Sequence, residues 1–239
     1  MHATCDTRDS TFAVRANRIA LISARNVVQI TFSADGIVFP GSPRERENST
    51  VQVHPEIDNS IRSFIMAQHV FFVATAPLSL DGHVNLSPKG LAGSLVVLGP
   101  HRVAFLDYGG SGAETIAHLR ENGRITLMFA AFEGRPNILR LYGIGRPVFA
   151  GDADFDELRA LFPVQHNRLR AIIDVTVDRV QDSCGYGVPL MSFEGDRDRL
   201  TATWAAKDTA AAERFWAAKN PRSIDGLPAM PAIDAPVAG

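Results

Sequence analysis

Residues 102–129 read RVAFLDYGGSGAETIAHLRENGRITLMF and carry the clearest structural signal in the chain. The pattern predicts a strand, a glycine-rich turn opening a helix over Ser111–Asn122, and a second strand. Gly123 suits the end of that helix, because glycine readily adopts the left-handed conformation found there. Backbone N–H groups at a helix N-terminus can bind an anion, most often a phosphate. The segment therefore predicts a site for a phosphate-bearing cofactor.

The glycine turn also resembles part of a dinucleotide-binding fingerprint. Gly109, Gly110 and Gly112 follow a strand, and Glu133 lies near the position of a ribose-binding acid. Thr115 stands where the third glycine belongs, and the neighbouring sequence predicts hairpins rather than repeated βαβ units. A nicotinamide-binding fold is therefore disfavoured, while a glycine turn without a ligand stays an open alternative.

The remaining apolar segments predict mainly antiparallel β-structure. Two hairpins are expected, one around the turn Leu80–His83 and one around Gly99–His101. The predicted strands cover His69–Ala76, His83–Leu86, Leu95–Leu98, Val103–Asp107, Ile125–Ala131, Ile138–Phe149 and Ala171–Val180. Helices are inserts in this pattern, so the fold class is mainly β (α+β) with peripheral helices.

Three further helices and two terminal segments complete the organisation. Helices are predicted from Pro55 onward, over Glu157–Phe162 and over Thr203–Lys219, with the last dozen residues loosely ordered. Residues 1–53 are expected to be a variable, partly disordered extension, although Ile19–Ser23 and Val27–Phe32 are strand-like. The predicted barrel covers residues 54–195, and the predicted C-terminal helix and tail cover residues 196–239.

Composition excludes several classes of protein. The 239 residues are 46% hydrophobic with a formal net charge of -2, so neither nucleic acid nor an anionic membrane is an expected partner. No apolar run reaches the roughly 20 residues of a membrane span. Cys5 and Cys184 form no CxxC unit and fit a reducing compartment, which predicts a cytoplasmic location. The seven histidines lack metal-ligand spacing, so no metal site is expected.

The segment Asn85–Gly90, NLSPKG, is the second candidate binding element. We predict a short polar loop that brings together a hydroxyl, a cation and a glycine. The charge of Lys89 and the hydroxyl of Ser87 suit phosphate or ribityl oxygens. A solvated turn without function is the open alternative.

Taken together, three segments show a family resemblance. HVFFVATAPLSLDGHVNLSPKG (69–90), the stretch 102–129 and GRPNILRLYGIGRPV (134–148) resemble the pyridoxamine 5'-phosphate oxidase-like family, the FMN-binding split barrels. The resemblance covers about Glu56–Ser192 and depends on the order of several blocks rather than on one signature. It implies a six-stranded antiparallel split β-barrel and a homodimer with one FMN in each of two clefts.

The resemblance also implies a set of cofactor-binding residues. Ser111 and Thr115 would donate to the phosphate, and Tyr186 would stack near the isoalloxazine ring. For the segment of Tyr186, a glycine-rich turn without function is the open alternative. Leu106, Asp107 and Tyr108 would run beside that ring, where Asp107 and Tyr108 either tune the flavin or satisfy backbone groups. The implied FMN-binding residues are Asn85, Ser87, Lys89, Leu106, Asp107, Tyr108, Ser111, Thr115, Arg135, Asn137 and Tyr186.

Two departures from the family pattern limit what it implies. Glu114 stands where many of these oxidases carry a basic residue. We expect it to turn outward, because a carboxylate would repel a phosphate, or to bind a backbone N–H. The C-terminal segment lacks the Arg/His pattern that grips vitamin B6 phosphates, so oxidation of that vitamin is disfavoured.

The sequence thus predicts an FMN-dependent oxidoreductase with a small-molecule substrate. It assigns no catalytic residue and does not specify the substrate or the electron donor, for which NAD(P)H is a candidate. Two alternatives stay open: a flavin- or haem-binding split barrel without turnover, and a reductase that uses the deazaflavin F420.

Overall fold

The computed structural model describes residues 51–164 and 168–231, together with three strands nearer the N-terminus. The chain divides into two units, residues 1–48 and 49–239. In the first unit, β1 (Arg18–Ser23), β2 (Asn26–Ser33) and β3 (Gly36–Val38) form an antiparallel sheet in that order. The two strand-like runs predicted there lie within β1 and β2. The predicted role of residues 1–53 as an extension stays a prediction.

The described residues of the second unit form one antiparallel sheet of eight strands. These are β4 (Gln52–His54), β5 (Phe71–Thr75), β6 (Asn85–Lys89), β7 (Leu95–Gly99), β8 (Arg102–Asp107), β9 (Arg124–Ala130), β10 (Ile138–Val148) and β11 (Ala171–Ser183). Their order is β6-β5-β9-β10-β11-β8-β7, with β4 also paired to β11. The mainly-β split-barrel class is confirmed. The sheet is not closed, and it has eight strands where the resemblance implied six.

The length of β11 explains how two strands share one of its edges. Ala171–Thr176 pairs with β8, and Val180–Asp182 pairs with β4. A strand of 13 residues is long enough for both neighbours in succession. The paired part of this unit therefore begins at Gln52.

The sheet curls so that its distant strands meet across a common core. Four places separate β5 from β8 in the strand order, yet the rings of Phe71 and Phe105 lie 5.5 Å apart in an edge-on contact. Burial alternates along β5, with Phe71, Val73 and Thr75 facing inward. The inner face is thus the interior of a barrel.

A β-bulge adjusts which side chains of β11 face that interior. Tyr142 pairs with Arg179 and Gly143 pairs with Val177, so one extra residue of β11 is accommodated between them. The extra residue shifts the alternation, and Val177 and Val180 are both buried in the core. A Cβ atom on Gly143 would lie 2.0 Å from the carbonyl oxygen of Thr176, so only glycine fits here without a backbone shift.

The two helices of the N-terminal half begin later than predicted. α1 (Asn59–Ala67) starts where Asp58 accepts a hydrogen bond from the Ile61 N–H at 2.8 Å, rather than at Pro55. α2 (Glu114–Asn122) starts three residues after Ser111. It ends at Gly123 as predicted, with φ of 73°. α3 (Phe155–Ala160) lies two residues before its predicted position.

The C-terminal region forms two helices where one was predicted. α4 (Arg199–Ala205) and α5 (Thr209–Lys219) are separate because Asp208 caps α5, accepting from the Ala211 N–H at 2.6 Å. Trp204 and Trp216 from these helices pack on the outer face of the sheet with Leu106. No helix within the described ranges is both long and apolar enough to cross a membrane.

The last dozen residues are more ordered than predicted where the structure describes them. Ala229 is fully buried, and its carbonyl oxygen accepts from Arg120 at 2.6 Å. The prediction of a loose tail is therefore wrong for residues 228–231, since the barrel core covers part of them. The rest of that prediction concerns residues 232–239, which lie outside the described residues.

A second correction concerns the predicted polar loop Asn85–Gly90. Its first five residues form β6, which pairs with β5 so that Pro88 lies opposite Phe72. Among the described strands, β6 lies at one end of the sheet, where proline is tolerated because one side of the strand has no neighbouring strand to bond. The turn-like composition therefore marks a sheet edge rather than a loop.

The bulge at Gly143 yields a stability prediction. Gly143→Ala should lower the free energy of unfolding by about 1–3 kcal/mol, because the added methyl group forces a backbone shift. Gly99→Ala is the control, since a Cβ there would meet no atom within 4 Å, and it should change stability by less than about 0.5 kcal/mol. Urea unfolding of both variants measures the difference. Equal losses would contradict the role of Gly143.

Candidate functional site

A cleft of about 700 Å³ opens between the edge strand β6 and the segment that follows β8. Its floor includes Leu106, Asp107 and Tyr108 at the end of β8, and its rim includes the glycine turn 109–112. The lining residues are Val70, Ser87, Pro88, Lys89, Gly90, Leu91, Leu106, Asp107, Tyr108, Gly109, Gly110, Ser111, Gly112, Glu114, Arg170, Gly195, Asp196, Arg197 and Leu200. The two segments that the sequence singled out therefore do meet at one cleft.

A buried ion pair between Asp107 and Arg170 forms the base of the cleft. The side chains are 1% and 4% exposed, and the guanidinium contacts Asp107 Oδ1 through Nε at 2.9 Å and Nη2 at 2.8 Å. Arg170 also donates to the carbonyl oxygen of Gly112 at 2.8 Å. Asp107 Oδ1 accepts from the Gly109 N–H at 3.0 Å. The pair thus holds both ends of the glycine turn.

The charge of Asp107 is maintained against its burial. Removal from water disfavours the carboxylate, but the positive charges of Arg170 and Lys89 and the Gly109 N–H outweigh this effect. The pKa of Asp107 is consequently below its ordinary value. Asp107 is therefore a structural anion at neutral pH, which favours the second of the two predicted roles, satisfaction of backbone groups.

The C-terminal helices support the turn from behind. Gly109 has φ of 66°, and a Cβ atom there would lie 2.4 Å from Trp216 Nε1. The Asn220 side-chain amide donates to the carbonyl oxygen of Gly110 at 3.1 Å. A glycine is needed at position 109 for both reasons, the left-handed backbone and the indole packed against it.

Lys89 and Ser111 supply the polar groups that face the cleft. Lys89 is 26% exposed at its side chain, and its Nζ lies 3.7 Å from Asp107 Oδ2. Because Asp107 already pairs with Arg170, the charge of Lys89 is only partly offset. Ser111 is exposed on the opposite rim. An anionic group of a ligand could contact both.

Glu114 lies at the cleft rather than outward, and it binds a backbone N–H, which is the second of its two predicted arrangements. Its Oε1 accepts from the Ile224 N–H at 3.3 Å, and a Cβ on Gly112 would lie 2.2 Å from Oε2. The carboxylate therefore folds back over the turn toward the C-terminal segment. This backbone hydrogen bond explains why a carboxylate is tolerated on the rim.

Asn85 and Thr115 are not among the residues that line the cleft. The Asn85 amide nitrogen donates to Thr115 Oγ1 at 3.0 Å and to Thr75 Oγ1 at 3.1 Å. Thr75 Oγ1 in turn lies 3.0 Å from Nδ1 of His118, which is fully buried. The polar atoms of Asn85 and Thr115 named here contact other residues of the protein, not the cleft.

Three further predicted residues lie apart from this cleft. Arg135 and Asn137 belong to the connection between β9 and β10, and a Cβ on Gly185 would lie within 3.0 Å of the Asn137 backbone. Tyr186 follows in the same region and is 56% exposed. The structure brings these two segments together, but none of the three residues lines the cleft.

Sequence reasoning missed Arg170 and the segment Gly195–Arg197. Arg170 directly precedes β11, whose first residue Ala171 pairs with Asp107. That register was not readable from either segment alone. Two contacts hold the segment 191–197. The Ala92 N–H donates to Asp196 Oδ2 at 2.9 Å, and the rings of His69 and Phe193 stack with their centroids 3.6 Å apart. Among the described residues, no group of three His, Cys, Asp or Glu side chains could hold a metal ion.

Comparison with known proteins identifies one family. The family model described as pyridoxamine 5'-phosphate oxidase matches residues 57–184. The pyridoxamine 5'-phosphate oxidase family protein ustO of Aspergillus flavus is 36% identical over 200 residues, which cover 74% of this chain and 77% of that protein.

Solved structures are similar only at a greater distance. The HupZ protein of Group A Streptococcus is 17% identical, with 56% of this chain and 99% of that chain covered and a TM-score of 0.41. An FMN-binding protein from Syntrophomonas wolfei is also 17% identical, with 55% of this chain and 85% of that chain covered and a TM-score of 0.38. Likenesses this distant indicate nothing about the ligand of this chain.

The buried ion pair yields a second stability prediction. Asp107→Asn should lower the free energy of unfolding by about 3–5 kcal/mol, because it leaves Arg170 buried without its anionic partner. Asp154→Asn removes a carboxylate that pairs with Arg146 at the surface, and should cost at most about 1 kcal/mol. Urea unfolding at neutral pH compares the two variants. A loss for Asp107→Asn no larger than for Asp154→Asn would refute the structural role of the pair.

His118 yields a prediction on pH. Burial disfavours the charged imidazole and lowers its pKa below the ordinary 6.5, even though nearby carboxylates act in the opposite direction. Below about pH 6.5 the unfolded chain therefore binds a proton that the folded chain does not, and stability falls as the pH decreases.

His118→Asn should make the loss of stability between about pH 7 and pH 5.5 smaller, as measured by urea unfolding across that range. The exposed His101 supplies the control, His101→Asn, which should keep most of the wild-type slope. An unchanged slope in His118→Asn would show that His118 does not cause the pH dependence.

Proposed function

The chain belongs to the pyridoxamine 5'-phosphate oxidase family, and from that premise we propose that it is an FMN-dependent oxidoreductase whose cofactor binds in the cleft at the end of β8. One observation carries the proposal: Lys89, Ser111 and the glycine turn converge on a cleft of about 700 Å³. FMN, when bound, would supply hydride or electron transfer at its N5 position.

The charges of the cleft fit a phosphate at one place. Arg170 and Asp107 neutralise each other, and Glu114 is engaged with the C-terminal segment. Lys89 then offers a cation, and Ser111 offers an exposed hydroxyl on the facing rim, while Asp196 and Arg197 bring one charge of each sign to the same lining. Gly110 has open space where a Cβ would stand, so a ligand can approach the turn closely.

The apolar part of the lining fits a flat ring system. Val70, Pro88, Leu91, Leu106 and Leu200 contribute apolar surface around the polar centre. A mostly apolar cleft with a few placed polar groups is typical of cofactor sites. The side chains would bind and orient the ring and exclude water from it. The proposal assigns no acid–base step to a side chain.

We also propose the homodimer that the family resemblance implies. Arg135, Asn137 and Tyr186, which do not line the cleft of their own chain, are candidates for contacts with the cofactor of a second copy. The exposed apolar side chains of Leu190 and Met191, 81% and 56% exposed, support a covered surface nearby. NAD(P)H as electron donor and a cytoplasmic location stay predictions.

The cofactor is tested most directly by its mass. Purified protein is denatured, and any released chromophore is identified by mass spectrometry; we expect FMN. Release of F420 or haem would support the corresponding alternative. A colourless protein that also fails to bind added FMN would overturn the proposal.

Turnover is a separate question with its own measurement. If the protein is an oxidoreductase, anaerobic addition of NADPH or NADH, or of chemical reductant followed by a candidate oxidant, should change the flavin absorbance reversibly. A protein that binds FMN with no reaction toward any donor or acceptor would instead be a flavin-binding module.

The role of Lys89 yields a fourth prediction. Lys89→Ala should weaken FMN binding by about 1.5–3 kcal/mol, the range for a hydrogen bond to a charged group. Stability without FMN should change by at most about 1 kcal/mol, because Asp107 keeps Arg170 as its partner. Calorimetric titration and urea unfolding measure the two effects.

Lys219→Ala is the matched control, since it removes the same charge from the exposed end of α5, away from the cleft lining. It should leave FMN affinity unchanged. If Lys89→Ala destabilises the ligand-free protein as much as it weakens binding, Lys89 is a structural residue.

A further inference from the structure

A chain of side-chain hydrogen bonds runs from the cleft into the interior. Ser87 lines the cleft, and its Oγ donates to Asn85 Oδ1 at 2.8 Å. The Asn85 amide nitrogen donates to Thr75 Oγ1 at 3.1 Å and to Thr115 Oγ1 at 3.0 Å. Thr75 Oγ1 then lies 3.0 Å from Nδ1 of the buried His118. Five side chains thus connect the cleft to the core.

The orientation of the amide determines what Ser87 offers to a ligand. Both N–H groups of Asn85 are directed at the threonine oxygens, so its own oxygen faces Ser87. Ser87 must therefore use its hydroxyl proton on Asn85. A serine hydroxyl has one proton and two lone pairs, so only lone pairs are left for the cleft.

Burial holds this arrangement in place. Thr75 and Thr115 are 4% and 5% exposed and His118 is fully buried, so water has little access to the inner partners of these hydrogen bonds. Breaking one link would leave a buried polar group without its partner, which costs more than the bond itself contributes. The network therefore fixes Asn85, and Asn85 fixes the hydroxyl of Ser87.

We propose that Ser87 binds its ligand as a hydrogen-bond acceptor. The ligand group that contacts it is then a hydroxyl or N–H donor rather than a phosphate oxygen, and Asn85 is the residue that positions the Ser87 hydroxyl. The inference rests on the proposed flavin function and sharpens it. In FMN such donors are the ribityl hydroxyls and the ring N3–H, whereas the phosphate offers acceptors at neutral pH. Of the two partners predicted for Ser87, the phosphate and the ribityl chain, this inference keeps the ribityl chain and leaves out the phosphate.

The spacing along β6 separates the two kinds of ligand group. Ser87 and Lys89 lie on the same face of the strand, two residues apart, at about 7 Å. Lys89 suits the phosphate and Ser87 suits the donors further along the molecule. The strand would thus set the direction in which the cofactor lies.

The test uses three ligands that differ in one group each. Lumiflavin has the ring alone, riboflavin adds the ribityl chain and FMN adds the phosphate. Their affinities for the full-length wild type and Ser87→Ala are measured by calorimetric titration. Ser87→Ala should weaken the binding of riboflavin and of FMN by the same factor, about 5- to 10-fold, which is the size expected for one neutral hydrogen bond.

The lumiflavin result identifies the donor. An equal loss for lumiflavin assigns the contact to the ring N3–H, and an unchanged lumiflavin affinity assigns it to a ribityl hydroxyl. A loss confined to FMN would mean that Ser87 donates to the phosphate, and would overturn the inference, as would no loss for either riboflavin or FMN. A wild type that binds neither riboflavin nor FMN would overturn the proposed function itself, and the inference with it.

A double-mutant cycle tests the positioning role of Asn85. In the Asn85→Ala variant the Ser87 hydroxyl is free to rotate. Adding Ser87→Ala to this variant should therefore weaken riboflavin binding by less than about twofold. The control background is Ser63→Ala, which removes an exposed hydroxyl on α1, and there the full 5- to 10-fold loss should persist. The same loss in both backgrounds would refute the positioning role, because a merely structural effect of Asn85 would not change the cost of removing Ser87.

Discussion

The buried ion pair of Asp107 and Arg170 joins parts of the chain that are more than 60 residues apart, at a point where the β8–β11 register and the glycine turn must agree. Arg170 also binds the carbonyl oxygen of Gly112, and Asp107 also binds the N–H of Gly109. Removing either charge would leave the other in a site that excludes water. The shape of the cleft floor therefore depends on one electrostatic contact that no ligand needs to supply.

The cleft is a product of two packing layers. The inner layer is the barrel core, to which α2 and the inward residues of β8 contribute, and the outer layer is made by the C-terminal helices. Trp216 packs against Gly109, and Asn220 holds Gly110. The turn lies between the two layers, so the C-terminal region belongs to the architecture of the cleft.

Local sequence signals predicted much of the fold, because their physical causes are local. The hairpin turns and the end of α2 at Gly123 depend on a few adjacent residues. Asp208, by contrast, caps a new helix within an alanine-rich run that looks continuous in the sequence. Pro88 looked like a turn residue because its tolerance in a strand depends on a place at the sheet edge, which is a property of the whole sheet.

The candidate site was predictable in its location but not in its hydrogen bonding. Lys89 and Ser111 could be found because charge, hydroxyl and glycine stand together in the sequence. Arg170 could not, since its partner is set by strand register. Asn85 and Thr115 have suitable chemistry for a cofactor, but whether such groups face a ligand or each other is decided by packing between β6 and α2.

The tryptophan content of the protein gives the wall behind the cleft an optical property. The chain has two tryptophans, Trp204 and Trp216, and their rings lie 5.3 Å apart in the layer that supports Gly109. The tryptophan fluorescence of the protein therefore originates from this one pair of rings beside the cleft. The wavelength and intensity of this emission depend on the environment of the two rings, so fluorescence can report on the cleft wall in the unmodified protein without an attached dye.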